Sequence, residues 1–318
     1  MAKETGIQRQ LTLEAVRVTE AAALAAYKLM GRGDEKAADQ AAVDAMRTAL
    51  NKLDVVGTVV IGEGERDEAP MLFIGEKVGA GTGPSIDIAL DPLEGTTLTA
   101  KGGPSALAVL AFANAGGFLH APDVYMYKIA VGAGLPDGIV DLDRSPAENV
   151  KAVAKAKGVD VGDLVVCILD RPRHSELINA VRATGARIQL ITDGDVAGVI
   201  ATSEAHTGID LYMGSGGAPE GVLAAAALRC IGGQIQGRLL FRNDDERGRA
   251  AKAGIKDLNR KYSTTDLASG EVIFVATGVT DGSMLKGVHR VPGGMTTESI
   301  AMRASTGTVR RIEAFHRV

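Results

Sequence analysis

Tryptophan is absent from this 318-residue chain, and aromatic residues together make up only 3% of it. So few flat rings argue against a surface on which nucleic-acid bases stack. Positive charge is not in excess either: 35 Lys and Arg stand against 39 Asp and Glu, a net charge of -4. That balance gives no global attraction for nucleic acid or an acidic membrane. The two cysteines, Cys167 and Cys230, sit in apolar runs ("LVVCILD", "AALRCIGG"). They read as buried thiols in a reducing compartment, not as a disulfide frame or zinc site. Five scattered histidines argue further against zinc-hydrolase chemistry. No uninterrupted apolar run of about 20 residues occurs, and the opening "MAKETGIQRQLTLEAVRV" lacks a signal-peptide core. A cytoplasmic protein without a membrane partner is expected.

What the chain does have is 46% hydrophobic residues and 40 glycines. The first is enough for a large core, and the second implies many tight turns or close approaches of backbone to a ligand. One catalytic unit is expected over 1–318, and it could comprise two lobes, 1–155 and 156–318. The nearest candidate border lies around 145–160, and neither a repeat nor a low-complexity linker marks it.

Residues 11–30 place Leu13, Val16, Ala23 and Leu24 on one helical face, and Gly31 and Gly33 end that helix. A second helix, "AADQAAVDAMRTALNKL", carries Asp39 and Asp44. Strands are expected at "VVGTVVIGEGE", "SIDIALD" and "ALAVLAFAN". In the second half, strands "DLVVCILD", "RIQLITDGD" and "GIDLYMG" alternate with helices "HSELINAVRATG", "VAGVIATSE" and "PEGVLAAAALRCIG". "EVIFVATGVT" and "GTVRRIEAFHRV" add strands near the end, and 243–262 reads as a solvated helix and loop. This rhythm predicts an α/β protein with mixed sheets covered by helices.

In such folds ligands gather at strand ends, and that is where the acids fall. In "DPLEGTT", Asp91 and Glu94 flank Pro92, which should turn the chain sharply out of the sheet. The two carboxylates could then seat one hard cation, while backbone N–H groups at Gly95 and Thr96 face an anion. The plain alternative is an acidic turn with a capping threonine. Glu63, between two glycines in "IGEGERDEAP", could share a second cation, whereas Glu65, Asp67 and Glu68 read as a solvated loop. "DRPRH" offers Arg171 and Arg173 as a phosphate clamp, with His174 more readily a helix-start residue than a general base. Asp193 and Asp195 in "TDGDV" open like a calcium-binding hand, but Ala197 occupies a position that needs an oxygen ligand. They could instead accept hydrogen bonds from sugar hydroxyls. "GSGGAPEG" has Pro219 where a dinucleotide fingerprint needs its last glycine. Glu220 beside it could cap a helix or ligate a metal. Carboxylates dominate every candidate site, which points to Mg²⁺ or Mn²⁺.

With these residues in view, the chain resembles the class II fructose-1,6-bisphosphatases, within the lithium-sensitive sugar phosphatases. "GRGDEKAAD", "IGEGERDEAPML", "DPLEGTT", "APDVYM", "DRPRH", "DGDVA" and "GGAPEG" occur in the family's order over essentially the whole chain. The resemblance implies a layered α-β-α-β-α sugar-phosphatase fold, with a metal and phosphate lobe followed by a sugar-binding lobe. It implies metal ligation by Asp39, Glu63, Asp91, Glu94 and Glu220. Substrate contacts fall on Glu94, Gly95, Thr96, Tyr125, Arg171, Pro172, Arg173, Asp193, Gly194, Asp195 and Gly217. Some relatives carry Lys where this chain has Arg171, so a guanidinium fork replaces a point charge, and some differ at Ser215.

The expected reaction is release of the 1-phosphate of fructose-1,6-bisphosphate in gluconeogenesis, by a metal-activated water that Thr96 orients, with Asp39 or Glu63 receiving a proton. Sedoheptulose-1,7-bisphosphatase activity, an inositol-monophosphatase-like activity and a non-catalytic sugar-phosphate sensor are the rival readings. A homo-oligomer, dimer or tetramer, is what relatives suggest.

Overall fold

The computed structural model describes residues 9–64 and 71–317. Glu65, Asp67 and Glu68 lie outside the described residues. The first elements in chain order are α1 (Leu11–Tyr27), α2 (Glu35–Leu50), β1 (Val56–Ile61), β2 (Lys77–Val78), β3 (Ser85–Glu94), α3 (Thr96–Lys101) and β4 (Leu107–Asn114). Next come β5 (Tyr125–Val131), α4 (Pro146–Lys157), β6 (Val165–Leu169), α5 (Ser175–Arg182), β7 (Arg187–Ile191), α6 (Asp195–Ile200), β8 (Leu211–Gly217) and α7 (Ala218–Ile231). The chain ends with β9 (Gln234–Leu240), α8 (Asp244–Lys252), β10 (Lys261–Ser263), α9 (Thr264–Leu267), β11 (Val272–Gly278), β12 (His289–Val291), β13 (Gly294–Arg303) and β14 (Thr308–Arg317). The fold class is α/β with mixed sheets, as the alternation of strands and helices predicts.

Two compact units divide the chain, Met1–Leu119 with Ala268–Val318, and His120–Leu267. The expected border near 145–160 is therefore displaced. Its polar stretch is helix α4, started by Ser145, whose side chain accepts from Glu148 N–H while Glu148 reaches back to the Ser145 backbone, with Pro146 at the first turn. A capped amphipathic helix there buries Val150 and Val153 in the second unit's core, so the polar residues are its solvent face and not a linker.

In the first unit the sheet runs β12-β13-β11-β4-β3-β1-β2, with β14 on β13. β1 and β3 are parallel, and β3, β4, β11 and β13 alternate in direction. β3 and β4 are buried on both faces, so they read as continuous apolar runs. Phe112, Ile88, Leu90 and Leu110 are essentially solvent-free, and each such side chain contributes about 1.5–3 kcal/mol by leaving water. α1 packs its Leu11, Ala15, Val18, Ala22 and Ala26 face inward. Leu13, expected on that face, is 56% exposed. Small alanines, not the largest side chains, mark where helix and sheet approach closely.

The second unit's sheet runs β10-β9-β5-β8-β6-β7. β6 is parallel to both β7 and β8, and β5 runs antiparallel to β8 and β9. Four strands, β6, β7, β8 and β9, therefore point the same way and end at one edge, where β5 begins. A separate core built on Ile129, Val131, Val166, Ile168 and Leu211 holds this unit together.

Candidate active site

In the first unit the acids are set by β1 and β3. The two strands stay paired as far as Ile61 opposite Ala89, with a register shift between Val59 and Ile61, so Glu63, just past the end of β1, and Asp91, within β3, both lie two residues beyond that pair. β3 does not leave the sheet after Asp91, contrary to the sequence expectation. It stays paired to Glu94, with Asp91 opposite Val109 and Glu94 opposite Leu107. A bulge absorbs Pro92, whose missing N–H is tolerated there. Leu93 N–H donates to Asp91 Oδ1 at 3.0 Å, fixing that carboxylate beside the bulge. Glu94 is only 4% exposed. Gly95 then takes φ +88°, a left-handed conformation open to glycine, and starts α3 at Thr96. Thr96 keeps partial exposure, while Thr99 of the same helix is buried with no hydrogen-bond partner for its hydroxyl.

Asp39 arrives on α2, which Asp34 caps by accepting from Ala37 N–H at 2.9 Å. The preceding turn is strapped to α3 by Gly31 N–H to Thr99 O and Gly33 N–H to Ala100 O, both 2.9 Å. Burial pushes the Asp39 carboxyl above the usual carboxylate range, and among the described residues no ion pair or hydrogen bond favours its charged form. That raises Asp39 from a solvated helix position to a carboxylate held at a cost in desolvation.

The second unit gathers the remaining candidates at one sheet edge. After β6, Arg171 Nη1 donates to Thr192 O at 2.5 Å, and its Nη2 lies 3.6 Å from Asp193 Oδ1. Pro172 opens a single 3₁₀ turn to His174. Arg173 donates from Nε and Nη2 to Ser215, and its guanidinium stacks 4.9 Å from the centre of the Tyr125 ring. Gly194 leads from β7 into α6, which begins with Asp195.

His174 is a structural residue. Its Nδ1–H donates to Leu169 O at 2.8 Å, and Ser215 N–H donates to Nε2 at 2.9 Å. That second bond requires a lone pair on Nε2, so the ring is neutral. Burial, reinforced by Arg173 and Arg171, lowers its pKa. Cys167 is equally inert, its thiol pushed up to about 12 by burial.

Lys128 was not singled out from sequence, yet it ties this edge together. It is 1% exposed, forms an ion pair with Asp195, and donates to Gly217 O at 2.9 Å. The signal for it was a single lysine inside the apolar strand "YMYKIAV". Glu220 lies beside this pair, with Oε2 shut off from water and accepting no hydrogen bond. Burial, then the Asp195 charge, pushes its carboxyl up to about 6. A Cβ at Gly217 would lie 1.8 Å from that Oε2, so only a glycine leaves room for the carboxylate in this position.

Among the described residues no three His, Cys, Asp or Glu side chains converge closely enough to cage a metal ion. The chemistry of the candidates is that of ligands for a hard divalent cation: in the first unit Asp39, Glu63, Asp91 and Glu94 offer only oxygen, and in the second unit the buried Glu220 Oε2 lacks a donor. No helix among the described residues is long and apolar enough to cross a membrane.

A family model described as bacterial fructose-1,6-bisphosphatase, glpX-encoded, matches residues 9–316. The chain belongs to this family. The class 2 fructose-1,6-bisphosphatase 1 of Escherichia coli (strain K12) is 47% identical over 98% of the chain and 96% of the relative. A Synechococcus (strain JA-3-3Ab) protein named D-fructose 1,6-bisphosphatase class 2/sedoheptulose 1,7-bisphosphatase is 44% identical with the same coverage. Among solved structures, the extragenic suppressor suhB of Bartonella henselae is 18% identical with a TM-score of 0.33, covering 62% of this chain and 74% of that one. An inositol monophosphatase from Anabaena (Nostoc) sp. PCC 7120 is 11% identical with a TM-score of 0.32, covering 62% and 72%. Scores this low carry no argument.

Proposed function

We propose that the protein hydrolyses the 1-phosphate of fructose-1,6-bisphosphate to fructose 6-phosphate and inorganic phosphate, in gluconeogenesis, with Mg²⁺ or Mn²⁺ as cofactor. The observation that carries this reading is the end of β3. There Asp91, a bulge at Pro92, the buried Glu94, a left-handed Gly95 and Thr96 follow one another without a gap. Acids able to seat cations, with a hydroxyl beside them, suit hydrolysis of a phosphate dianion, whose negative charge repels a nucleophile and makes the uncatalysed reaction among the slowest known.

Asp39, Glu63, Asp91, Glu94 and Glu220 would hold the cations. Bound there, divalent ions would lower the pKa of a water and offset charge on the leaving oxygen. Thr96 would orient the attacking water in line with phosphorus, taking a proton from it while passing its own hydroxyl proton to Asp39 or Glu63; as the new P–O bond forms and the bond to the sugar breaks, that proton goes to the departing sugar oxygen. Backbone N–H groups from Gly95 to Thr97 hold the phosphoryl oxygens as charge shifts onto them. Arg171, Arg173 and Tyr125 grip the second phosphate, with Pro172 setting the bend between the two arginines. Asp193, Gly194, Asp195 and Gly217 read the sugar. A second reading, sedoheptulose-1,7-bisphosphatase activity, is favoured by the double name of the Synechococcus relatives. A cytoplasmic dimer or tetramer completes the proposal.

The test is phosphate release from fructose-1,6-bisphosphate, sedoheptulose-1,7-bisphosphate and inositol 1-phosphate, each with Mn²⁺, Mg²⁺ or EDTA. The reading expects metal-dependent release from a sugar bisphosphate and little from inositol phosphate. Tight binding without release from any of them would convert the protein into a sensor.

A further inference from the structure

The second unit's sheet places one unassigned cation among the assigned ones. Arg171 and Arg173 follow the end of β6, Asp193 and Asp195 the end of β7, and Glu220 the end of β8. β9 points the same way, with Leu240 opposite Tyr125 and Tyr125 opposite Gly217. The residue two beyond Leu240 is Arg242. Its guanidinium lies 4.7 Å from the centre of the Tyr125 ring, which Arg173 approaches to 4.9 Å. One tyrosine thus carries two guanidinium groups, delivered by two different strands.

The Arg242 side chain is held, not loose. Glu246, wholly buried on α8, accepts from Arg242 Nε at 2.6 Å and lies 2.5 Å from Nη2. Its other oxygen accepts from Arg242 N–H at 2.6 Å. Among the described residues Nη1 has no partner, and the side chain as a whole is 61% exposed. A fork fixed along one side and open at the other is suited to a phosphate oxygen. Gathering two like charges on one ring is unfavourable unless an anion sits near them. Glu246 neutralises one charge, while the Arg173 guanidinium donates to Ser215, a neutral group.

We infer that Arg242 is a further cation of the second-phosphate clamp, acting with Arg173 and Tyr125 to favour bisphosphates over monophosphates, with Glu246 as its positioning residue. This rests on the bisphosphatase reading above. The experiment compares wild type with Arg242→Gln, using fructose-1,6-bisphosphate and fructose 1-phosphate, which lacks the second phosphate. The expected result is a KM for the bisphosphate raised about tenfold or more, and raised at least about fivefold further than the KM for the monophosphate. Because R242Q leaves the buried Glu246 without its main partner, R242Q/E246Q, which removes the pair together, is measured beside it with the same selective rise expected. Thermal melts of both variants identify any loss of fold. A bisphosphate KM within twofold of wild type, or equal losses on both substrates, overturns the inference and leaves Arg242 as an anchor for α8. A wild type inert toward every sugar bisphosphate overturns the underlying reading instead.

Discussion

Asp39 in the first unit and Asp195 in the second are both carboxylates withdrawn from water, but their surroundings differ. Asp195 shares its charge with Lys128 in a buried ion pair. Asp39 has no such partner among the described residues, and burial alone disfavours its charged form. Of the acids in the first unit, Asp39 stands on α2 and Glu63, Asp91 and Glu94 at or near strand ends, the residues proposed above to hold the cations. Those of the second are largely bound up in the architecture that positions arginines, Tyr125 and Gly217. A protein can thus use one residue type for chemistry and for scaffolding, and the nearby cation distinguishes the two.

Substitutions should separate these roles. The largest expected effect is on Lys128→Met, which strands Asp195 in a water-free position and should destabilise the fold by about 3–5 kcal/mol in urea denaturation. A midpoint close to wild type would mean the pair contributes little. Asp39→Asn should act in the opposite sense, lowering kcat about 10²–10³-fold while leaving the metal-free protein as stable as wild type or slightly more so. Full activity would take Asp39 out of the site. Thr96→Ala should reduce kcat about 10²-fold with KM moved only a few-fold, and an equal rise in KM would make Thr96 a binding residue only.

The smallest effect is on pH dependence. The folded protein depresses the His174 pKa below its ordinary 6.5. The stability this contributes is therefore fully present above pH 6.5 and is lost as pH falls and the unfolded chain takes up the proton. Measured from pH 7.5 to 5, wild type should lose stability more steeply than His174→Gln. Parallel curves would show that His174 titrates alike in both states.

Much of this was legible in the residues. β4 and β6 announced themselves as apolar runs, and "DPLEGTT" announced a strand end carrying acids, because such patterns follow from local chemistry. β5 and β9 went unread: the first interrupts its apolar run with Lys128, and the second alternates Gln and Arg with apolar residues around Gly237. Pro92 misled for a related reason, since whether a proline breaks a strand or sits in a bulge depends on the neighbouring strand.

By itself, then, the sequence determined the α/β class, the acid-rich chemistry and the family, through residue types at fixed short spacings. Only the tertiary structure decided that the chain's end returns to the first unit, with β11, β13 and β14 completing its sheet. It alone also paired Lys128 with Asp195 and brought Arg242 to Tyr125. These partners are 67 and 117 residues apart, and pairings across such separations are set by strand order and register, which no local pattern encodes.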